Sequence, residues 1–385
     1  MTATSTGVPA SDRSGGSTDR PWSGFRIDTN DDASGSWFGA RKVGVTPGRV
    51  VYRIDPAAHP RPGAFGKPRR VARVAGPGEK RAAGPRATAR AAWILSKYGS
   101  YDYEIQAAAV DAAVLHLLAG RDYALGGRET RARLRSTGEA RRIKRFAAIM
   151  LRDSTSRSGP YRMAVRQLGE AVIGETVRLA VQIVSSRSGE PLTSVPVSLR
   201  LGSGAWRPAG ETDSAGRVTF EYVGRAAGPQ RVTARVARVP EHRLLLMQPR
   251  RASASRVAVA GRKHVQAART TAAVKARPDA SIASASITSG NRTRGSFRIT
   301  DAYGSAPSSA TVVLRGPFGS RDQATCQRKL LRVRQVPASG NGTYPLPRLE
   351  VRQAGVYIWY VVAPGDTYNL NASACAGVFR VRPRQ

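Results

Sequence analysis

The sequence predicts a multidomain chain in which an α+β domain is followed by two all-β sandwich domains. At 385 residues the chain is longer than one common domain. Apolar residues recur with a helical period between residues 85 and 152. From Tyr161 onward, short alternating segments separated by turn residues replace that period. The order of the two patterns places the helical domain first.

The N-terminal part combines a polar segment, a strand and three helical regions. Residues 1–35 are rich in Ser, Thr, Gly and Asp, which predicts a disordered polar tail. The run 49–54 alternates as a strand does, and Pro85 and Gly99 are typical of the start and stop of a helix. The second helical region has no clean polar face, which predicts a buried central helix. The three predicted helical regions are 85–99, 104–118 and 128–152.

The remainder is predicted to form two sandwiches joined by a linker. Residues 159–262 contain short strands between turn clusters, and residues 285–385 repeat that character. The intervening 263–284 is basic and lacks aromatic residues, which predicts a linker. The last strand of the first sandwich is expected near 256–260.

The chain is strongly basic. Lys and Arg total 62 against 26 acidic residues, a formal net charge of +36. A charge of this size attracts dense polyanions, among them cell-wall polymers and nucleic acids. The charge alone does not decide between them.

The two cysteines, Cys326 and Cys375, both lie in the last quarter of the chain. Neither has a second pair of metal ligands nearby, so a structural disulfide is the simplest interpretation. In a reducing compartment they would instead be two buried thiols.

Two segments of the N-terminal domain form a pattern that resembles a known family. They are Tyr52-Arg53-Ile54-Asp55 on the predicted strand and Ile105-Gln106-Ala107-Ala108 on the central helix, with Ser96-Lys97-Tyr98-Gly99 between them. The order resembles that of the thioester-domain (TQXA-type) surface proteins of Gram-positive bacteria, especially actinobacterial ones with Ig-like modules. In that family a cysteine on the strand condenses with a glutamine on the helix.

The resemblance implies a thioester-like domain at 36–158 that has lost its reaction. Arg53 stands where the family has its cysteine, and a guanidinium cannot act as the nucleophile that forms a thioester. Arg53 and Gln106 are therefore the degenerate thioester positions. The resemblance further implies that the later domains are Ig-like spacers.

The function implied is a non-catalytic, adhesin-like structural protein, secreted or at the cell surface, without a cofactor and with a host surface ligand or cell-wall polyanion as partner. Residues 1–35 lack the basic start and apolar run of a signal peptide, so export predicts a translation start upstream of Met1.

The alternative function is an arginine-rich polyanion-binding protein. The basic residues proposed for it are Arg69, Arg70, Arg73, Arg141, Arg142 and Arg145, together with the segment 250–277. These regions do not alternate charges with aromatic residues, so no specific nucleic acid is expected as a partner.

No catalytic or metal site is expected. The histidines are dispersed and lack the spacing of zinc ligands: His59, His116, His242 and His264. No nucleophile elbow, phosphate loop or dinucleotide fingerprint occurs, and the most apolar stretch, 105–118, is too short to span a bilayer.

Overall fold

The computed structural model describes residues 22–27, 36–43, 49–58, 65–75, 83–100, 103–250 and 254–384. The helices are α1 Pro85–Tyr98, α2 Glu104–Leu118, α3 Arg128–Arg135 and α4 Ala140–Arg157. The first strands are β1 Trp22–Ile27, β2 Ser36–Val43, β3 Arg49–Arg53, β4 Arg69–Val71, β5 Tyr161–Leu168, β6 Thr176–Ser185 and β7 Pro196–Leu201. They are followed by β8 Arg207–Glu211, β9 Arg217–Val223, β10 Gly228–Pro240, β11 Leu244–Met247, β12 Val257–Val259, β13 Lys263–Val274 and β14 Asp279–Ser284. The last are β15 Ile287–Thr288, β16 Gly295–Thr300, β17 Ser309–Phe318, β18 Leu330–Pro337, β19 Gly342–Pro345, β20 Gly355–Ala363 and β21 Ala372–Arg382.

The chain divides into two compact units. The first takes in residues up to 162 together with 184–192 and 237–266, and the second takes in 163–183, 193–236 and 267–385. Each unit is therefore built from stretches that are distant in sequence. Strand is more abundant than helix, and the strands form several separate sheets. The predicted multidomain, largely β architecture is confirmed at this level.

The first unit contains a six-stranded sheet and all four helices. The strand order is β1-β2-β3-β12-β11-β4. Helix α2 packs against β1 and β2 and also contacts α1 and α4. Most of its side chains are buried, because Ala and Val occupy nearly its whole circumference. The central, buried position expected for this helix is observed.

Two strands of the first unit come from a later part of the chain. β12 pairs with β3 through Tyr52 and Ala258, and β11 lies between β12 and β4. The sequence predicts the strand near 256–260 but assigns it to the sandwich at 159–262. The stretch 237–266, which contains both strands, belongs to the first unit, and strand pairing across about 200 residues leaves no local mark on the sequence.

The predicted tail also contains a strand. β1 falls within residues 1–35 and pairs antiparallel with β2, where Phe25 lies opposite Phe38. Ile27 of this strand is buried in the core. The sequence does not predict this strand because only Phe25 and Ile27 alternate with polar residues, within a segment that is largely polar. The rest of the predicted tail, 1–21 and 28–35, lies outside the described residues.

The second unit begins with a three-stranded and a four-stranded sheet. One has the order β5-β6-β9 and the other β13-β10-β7-β8. Along β6, alternate residues from Val177 to Ile183 are fully buried, and β7 and β10 bury Leu199 and Ala234 in the same alternating manner. Such alternation is typical of sheets that share one interior. The Ig-like arrangement of these strands stays a prediction.

The segment expected to be a linker is strand instead. Residues 263–284 form β13 and β14, separated by a short connection. Ala272 and Val274 of β13 are buried, and Ile282 of β14 packs against the core of the last sandwich. Burial along β13 alternates between more and less exposed positions, and the basic composition of the segment conceals this period of two.

The C-terminal part is a sandwich with one core. Sheets β14-β16-β19 and β15-β21-β20-β17-β18 enclose a cluster in which Phe297, Leu314, Trp359 and Phe379 are fully buried. Cys326 and Cys375 form a disulfide, with their Cα atoms 5.9 Å apart. The predicted disulfide is confirmed, and the alternative of two buried thiols is excluded.

Candidate functional site

Arg53 and Gln106, the residues predicted to be degenerate thioester positions, each contact a backbone carbonyl. Arg53 Nη2 donates to the Trp37 carbonyl of β2 at 3.4 Å. Gln106 Nε2 donates to the Tyr98 carbonyl at the end of α1 at 3.1 Å. Tyr52, the residue before Arg53, donates its hydroxyl to the neighbouring Gly99 carbonyl at 3.1 Å. The strand and the central helix thus meet at the end of α1, and the direct approach of Arg53 to Gln106 stays a prediction.

Asp111 is the buried acid of the central helix. It is 1% exposed, and its Oδ2 accepts a hydrogen bond from the Gly39 backbone N–H of β2 at 3.0 Å. Gly39 lies opposite Gly24, and a Cβ on either glycine would come within 2.2 Å of a carbonyl oxygen of the other strand. Both have φ values near the region that only glycine adopts readily, +142° and +130°. The close strand pair therefore brings the Gly39 amide to the helix.

The position of Asp111 in the sequence indicates that this residue has a partner, although composition alone does not show it. A single carboxylate inside an otherwise apolar helix needs a buried partner, since an unpaired one is costly. Its contact with β2 makes it the polar connection between α2 and the sheet.

Asp55 forms a buried ion pair with Arg256. Arg256 Nε and Nη2 donate to the two carboxylate oxygens at 2.7 and 2.6 Å, and its backbone N–H donates to Oδ2 at 2.9 Å. The Asp55 amide in turn donates to Ser255 Oγ. The hydrogen bond to Asp55 raises the pKa of Arg256. The pair joins the ends of β3 and β12, and neither residue was expected to have this partner.

Two of the three described histidines lie close together. His242 and His264 have ring centres 5.7 Å apart, and His264 Nδ1 lies 3.8 Å from Glu241. Burial lowers the pKa of both rings, so both are neutral at pH 7. His116 Nδ1 accepts from the Leu125 amide, and burial lowers its pKa as well. His59 lies outside the described residues.

Several of the basic residues proposed for polyanion binding have acidic partners within the protein. Arg70 pairs with Glu241 at 3.2 Å, and Arg142 pairs with Glu139 at 3.3 Å. Arg69 lies beside Arg70 on β4, Arg73 follows that strand, and Arg141 and Arg145 lie on α4.

Three cations of the segment 250–277 have acidic partners in the same way. Arg256 is occupied by Asp55, Lys275 lies 3.2 Å from Glu170, and Arg277 lies 2.8 Å from Glu175. Residues 251–253 of this segment lie outside the described residues. Partnered cations of this kind are weaker candidates for an external anion than unpartnered ones.

A cleft in the C-terminal sandwich gathers four other arginines. The arginine cleft has a volume of about 690 Å³ and is lined by Arg292, Arg294, Arg348 and Arg382, with Thr288 and Asn291 among its polar neighbours. All four arginines are exposed. Glu350, next to the cleft, hydrogen bonds to Arg352 at 2.8 Å, an interaction that lowers the pKa of Glu350. Among the described lining residues there is no acidic side chain, so the cleft is a concave cationic site that composition alone does not locate.

Metal binding and membrane crossing find no support in the described ranges. No three His, Cys, Asp or Glu side chains come together there as a metal site. The helices of those ranges also lack the combined length and apolar character needed to cross a bilayer. Both cysteines of the chain are in the disulfide, so no free thiol exists.

Comparison with known proteins gives only distant structural similarity. No family model matches the chain, and no curated protein matches its sequence. A protein of Corynebacterium diphtheriae described as membrane-anchored is 11% identical with a TM-score of 0.23, over 58% of this chain and 59% of the other. FdeC, an adhesin of Escherichia coli, is 15% identical with a TM-score of 0.23, over 57% of this chain and 66% of the other. The α2-macroglobulin of Escherichia coli is 14% identical with a TM-score of 0.19, over 59% of this chain and 16% of the other.

Proposed function

We propose that the chain is a non-catalytic, adhesin-like structural protein of a bacterial surface, whose first unit is a covalently inert, thioester-like domain. The proposal depends chiefly on one observation, that both cysteines of the chain are joined in a disulfide. The chain has only two cysteines, both in the last sandwich and both joined in the disulfide. The first unit therefore has no nucleophile for a thioester, while the disulfide suits an oxidising, extracytoplasmic compartment.

The contacts of the first unit support a structural role for the strand and helix that the resemblance identifies. Tyr52 and Gln106 are both held by carbonyls at the end of α1, and Asp111 is held by β2. These side chains satisfy backbone groups, as buried polar side chains of a rigid domain do. These contacts support the proposal that the first unit is a structural, non-catalytic module.

Cell fractionation of the native host tests the proposed location. Blocking free thiols in intact cells before lysis, then probing the chain after denaturation, should show Cys326 and Cys375 unmodified in the surface or secreted fraction. Protein found only in the cytoplasm, with both cysteines alkylated, would contradict the proposal.

The first unit is predicted to be inert toward amines. The purified chain should have the mass of its sequence less two hydrogens for the disulfide, with no loss of ammonia, and methylamine should not add to it. The reason is that Arg53 cannot displace ammonia from a carboxamide. Intact-mass spectrometry before and after methylamine treatment measures this. A loss of about 17 Da that methylamine converts into a gain of about 14 Da, by opening the thioester to a methylamide and a free thiol, would show that an internal thioester exists.

The arginine cleft favours a second candidate function, binding of a phosphate-rich polymer. Its volume lies within the range of small-molecule sites, roughly 300 to 1,000 Å³, and its lining is cationic. Arginine binds phosphate oxygens in a bidentate manner, so a concave group of four favours a phosphodiester or polyphosphate over a diffuse carboxylate surface. A cell-wall phosphate polymer fits both this chemistry and the proposed location.

Replacing three cleft arginines should weaken polyphosphate binding more than replacing three helix arginines. The cleft variant is Arg292→Gln, Arg294→Gln and Arg348→Gln. Its affinity should fall at least about tenfold at 150 mM salt, and the slope of log K against log salt should decrease by about 0.7 for each lost contact. Titration with inorganic polyphosphate at several salt concentrations measures both quantities.

The matched control removes the same charge from α4, by Arg141→Gln, Arg142→Gln and Arg145→Gln. This variant should retain most of the affinity, because those side chains lie on one convex helix surface and Arg142 already pairs with Glu139. Equal losses in the two variants would mean that net charge, and not the cleft, attracts the polymer.

A further inference from the structure

The last strand of the five-stranded sheet, β18, is an exposed edge. The sheet has the order β15-β21-β20-β17-β18, so β18 has a strand neighbour on one side only among the described residues. Nearly all of its residues are exposed on both faces. Leu330, Leu331 and Val333 are 60%, 40% and 45% exposed. Exposed apolar residues on a free edge are unusual, because such an edge is a template for another strand.

The two faces of this edge differ in chemistry. Val333 lies opposite the buried Val313 of β17, and the register shifts at Leu331, between the pairs Arg332–Leu314 and Leu330–Arg315. On the other face, Arg332 lies opposite Leu314 and Arg334 lies opposite Val312. The edge therefore alternates between cationic and apolar positions with a period of two.

The edge is held in a defined position. β17 pairs with β18 over nearly its whole length, and the disulfide of Cys326 anchors the chain four residues before Leu330. Val336, near the far end, packs against the core of the sandwich. A fixed, extended edge gives up little conformational entropy when another strand binds.

We propose that β18 binds an extended peptide segment in which acidic and apolar residues alternate, by adding it as a further strand of the sheet. Main-chain hydrogen bonds supply the affinity in this mode of recognition, and alternate side chains supply the specificity. Acidic side chains of the bound segment pair with Arg332 and Arg334, while its apolar side chains cover Leu331 and Val333. A second copy of this chain is disfavoured, since pairing two β18 strands places arginines against arginines.

The probe is a fluorescein-labelled ten-residue peptide of alternating glutamate and valine, tested on the full chain at 150 mM salt by fluorescence anisotropy. The alternating peptide should bind. Two control peptides of matched charge should not: one with the same residues in two blocks, and one with alternate valines replaced by proline, which cannot donate backbone hydrogen bonds. Binding of all three alike, or of none, would overturn the proposal.

A charge-reversal variant tests the position of the site. Arg332→Glu with Arg334→Glu should weaken the glutamate–valine peptide at least about tenfold and create binding to a lysine–valine peptide, since both cross-strand pairs change sign. The matched control, Arg298→Glu with Arg380→Glu, reverses two exposed arginines on the inner strands β16 and β21 and should change neither peptide's affinity.

Sedimentation of the unmodified chain tests whether β18 binds a second copy of the chain instead of a peptide. The chain should stay monomeric at the concentrations used. A dimer of the unmodified chain that associates more strongly when it is mixed with the Arg332→Glu, Arg334→Glu variant would show that β18 pairs with a second copy and would replace the peptide proposal.

Discussion

Replacing both Cys326 and Cys375 by alanine is expected to lower the free energy of unfolding of the second unit by about 4 kcal/mol. The disulfide joins residues 49 positions apart, connecting the loop after β17 to β21. A crosslink over a loop of this length removes much of the conformational entropy of the unfolded chain. Urea denaturation, with limited proteolysis to identify the unit that unfolds first, measures the loss.

The difference in unfolding free energy between the unmodified chain and the double alanine variant should be seen only under oxidising conditions. Addition of a reductant should destabilise the unmodified chain by a similar amount and leave the double alanine variant unchanged. A matched exposed substitution beside the disulfide, Ser373→Ala, should have little effect on either. A loss below about 1 kcal/mol in the double variant would show that the sandwich core, and not the crosslink, determines the stability of this unit.

Local patterns predicted most of the individual elements. Pro85 and Gly99 bracket α1, because proline suits the first turn and glycine ends a helix readily. The alternation from Thr176 predicted β6, and Cys326 with Cys375 predicted the crosslink. These features depend on neighbours in sequence or on residue type, so one sequence is sufficient to find them.

The arrangement of the elements depends on pairings that no local pattern encodes. β12 was predicted as a strand, but its partner β3 lies 200 residues earlier, and any free apolar edge would satisfy its local preference. The strand in the predicted tail and the strand in the predicted linker were concealed by polar and basic residues around them. Charge averaged over a segment conceals a period of two.

The candidate sites also divide into those that a local sequence pattern identifies and those that only the fold shows. Arg53 was identified from a motif, whereas the ion pair of Asp55 with Arg256 and the arginine cleft required the fold. Asp111 lies between these two cases. A lone acid in an apolar helix predicts that a buried partner exists, but only the fold shows that the partner is the amide of Gly39. The chemistry of a residue type can thus be read from sequence, while the partner that gives it a role cannot.

Removing the buried carboxylate at Asp55 is expected to destabilise the first unit by about 3 kcal/mol. Asp55 and Arg256 have side chains only 6% and 18% exposed, and the carboxylate accepts three hydrogen bonds from Arg256. Asp55→Asn would leave the guanidinium largely buried without its counter-charge. Hydrogen exchange of the β3 and β12 amides, alongside chemical denaturation, should show both strands opening at lower free energy than in the unmodified chain.

A second variant separates loss of the pair from loss of the fold. Adding Arg256→Met to Asp55→Asn should recover part of the stability, because the uncompensated buried charge is then gone and only the hydrogen bonds are missing. The matched control is Glu350→Gln, which breaks the exposed pair with Arg352 and should leave the unfolding transition unchanged. If Asp55→Asn and Glu350→Gln behave alike, the Asp55–Arg256 pair is not what holds β12 to β3, and the pairing of the two strands must depend on their backbone hydrogen bonds and apolar packing.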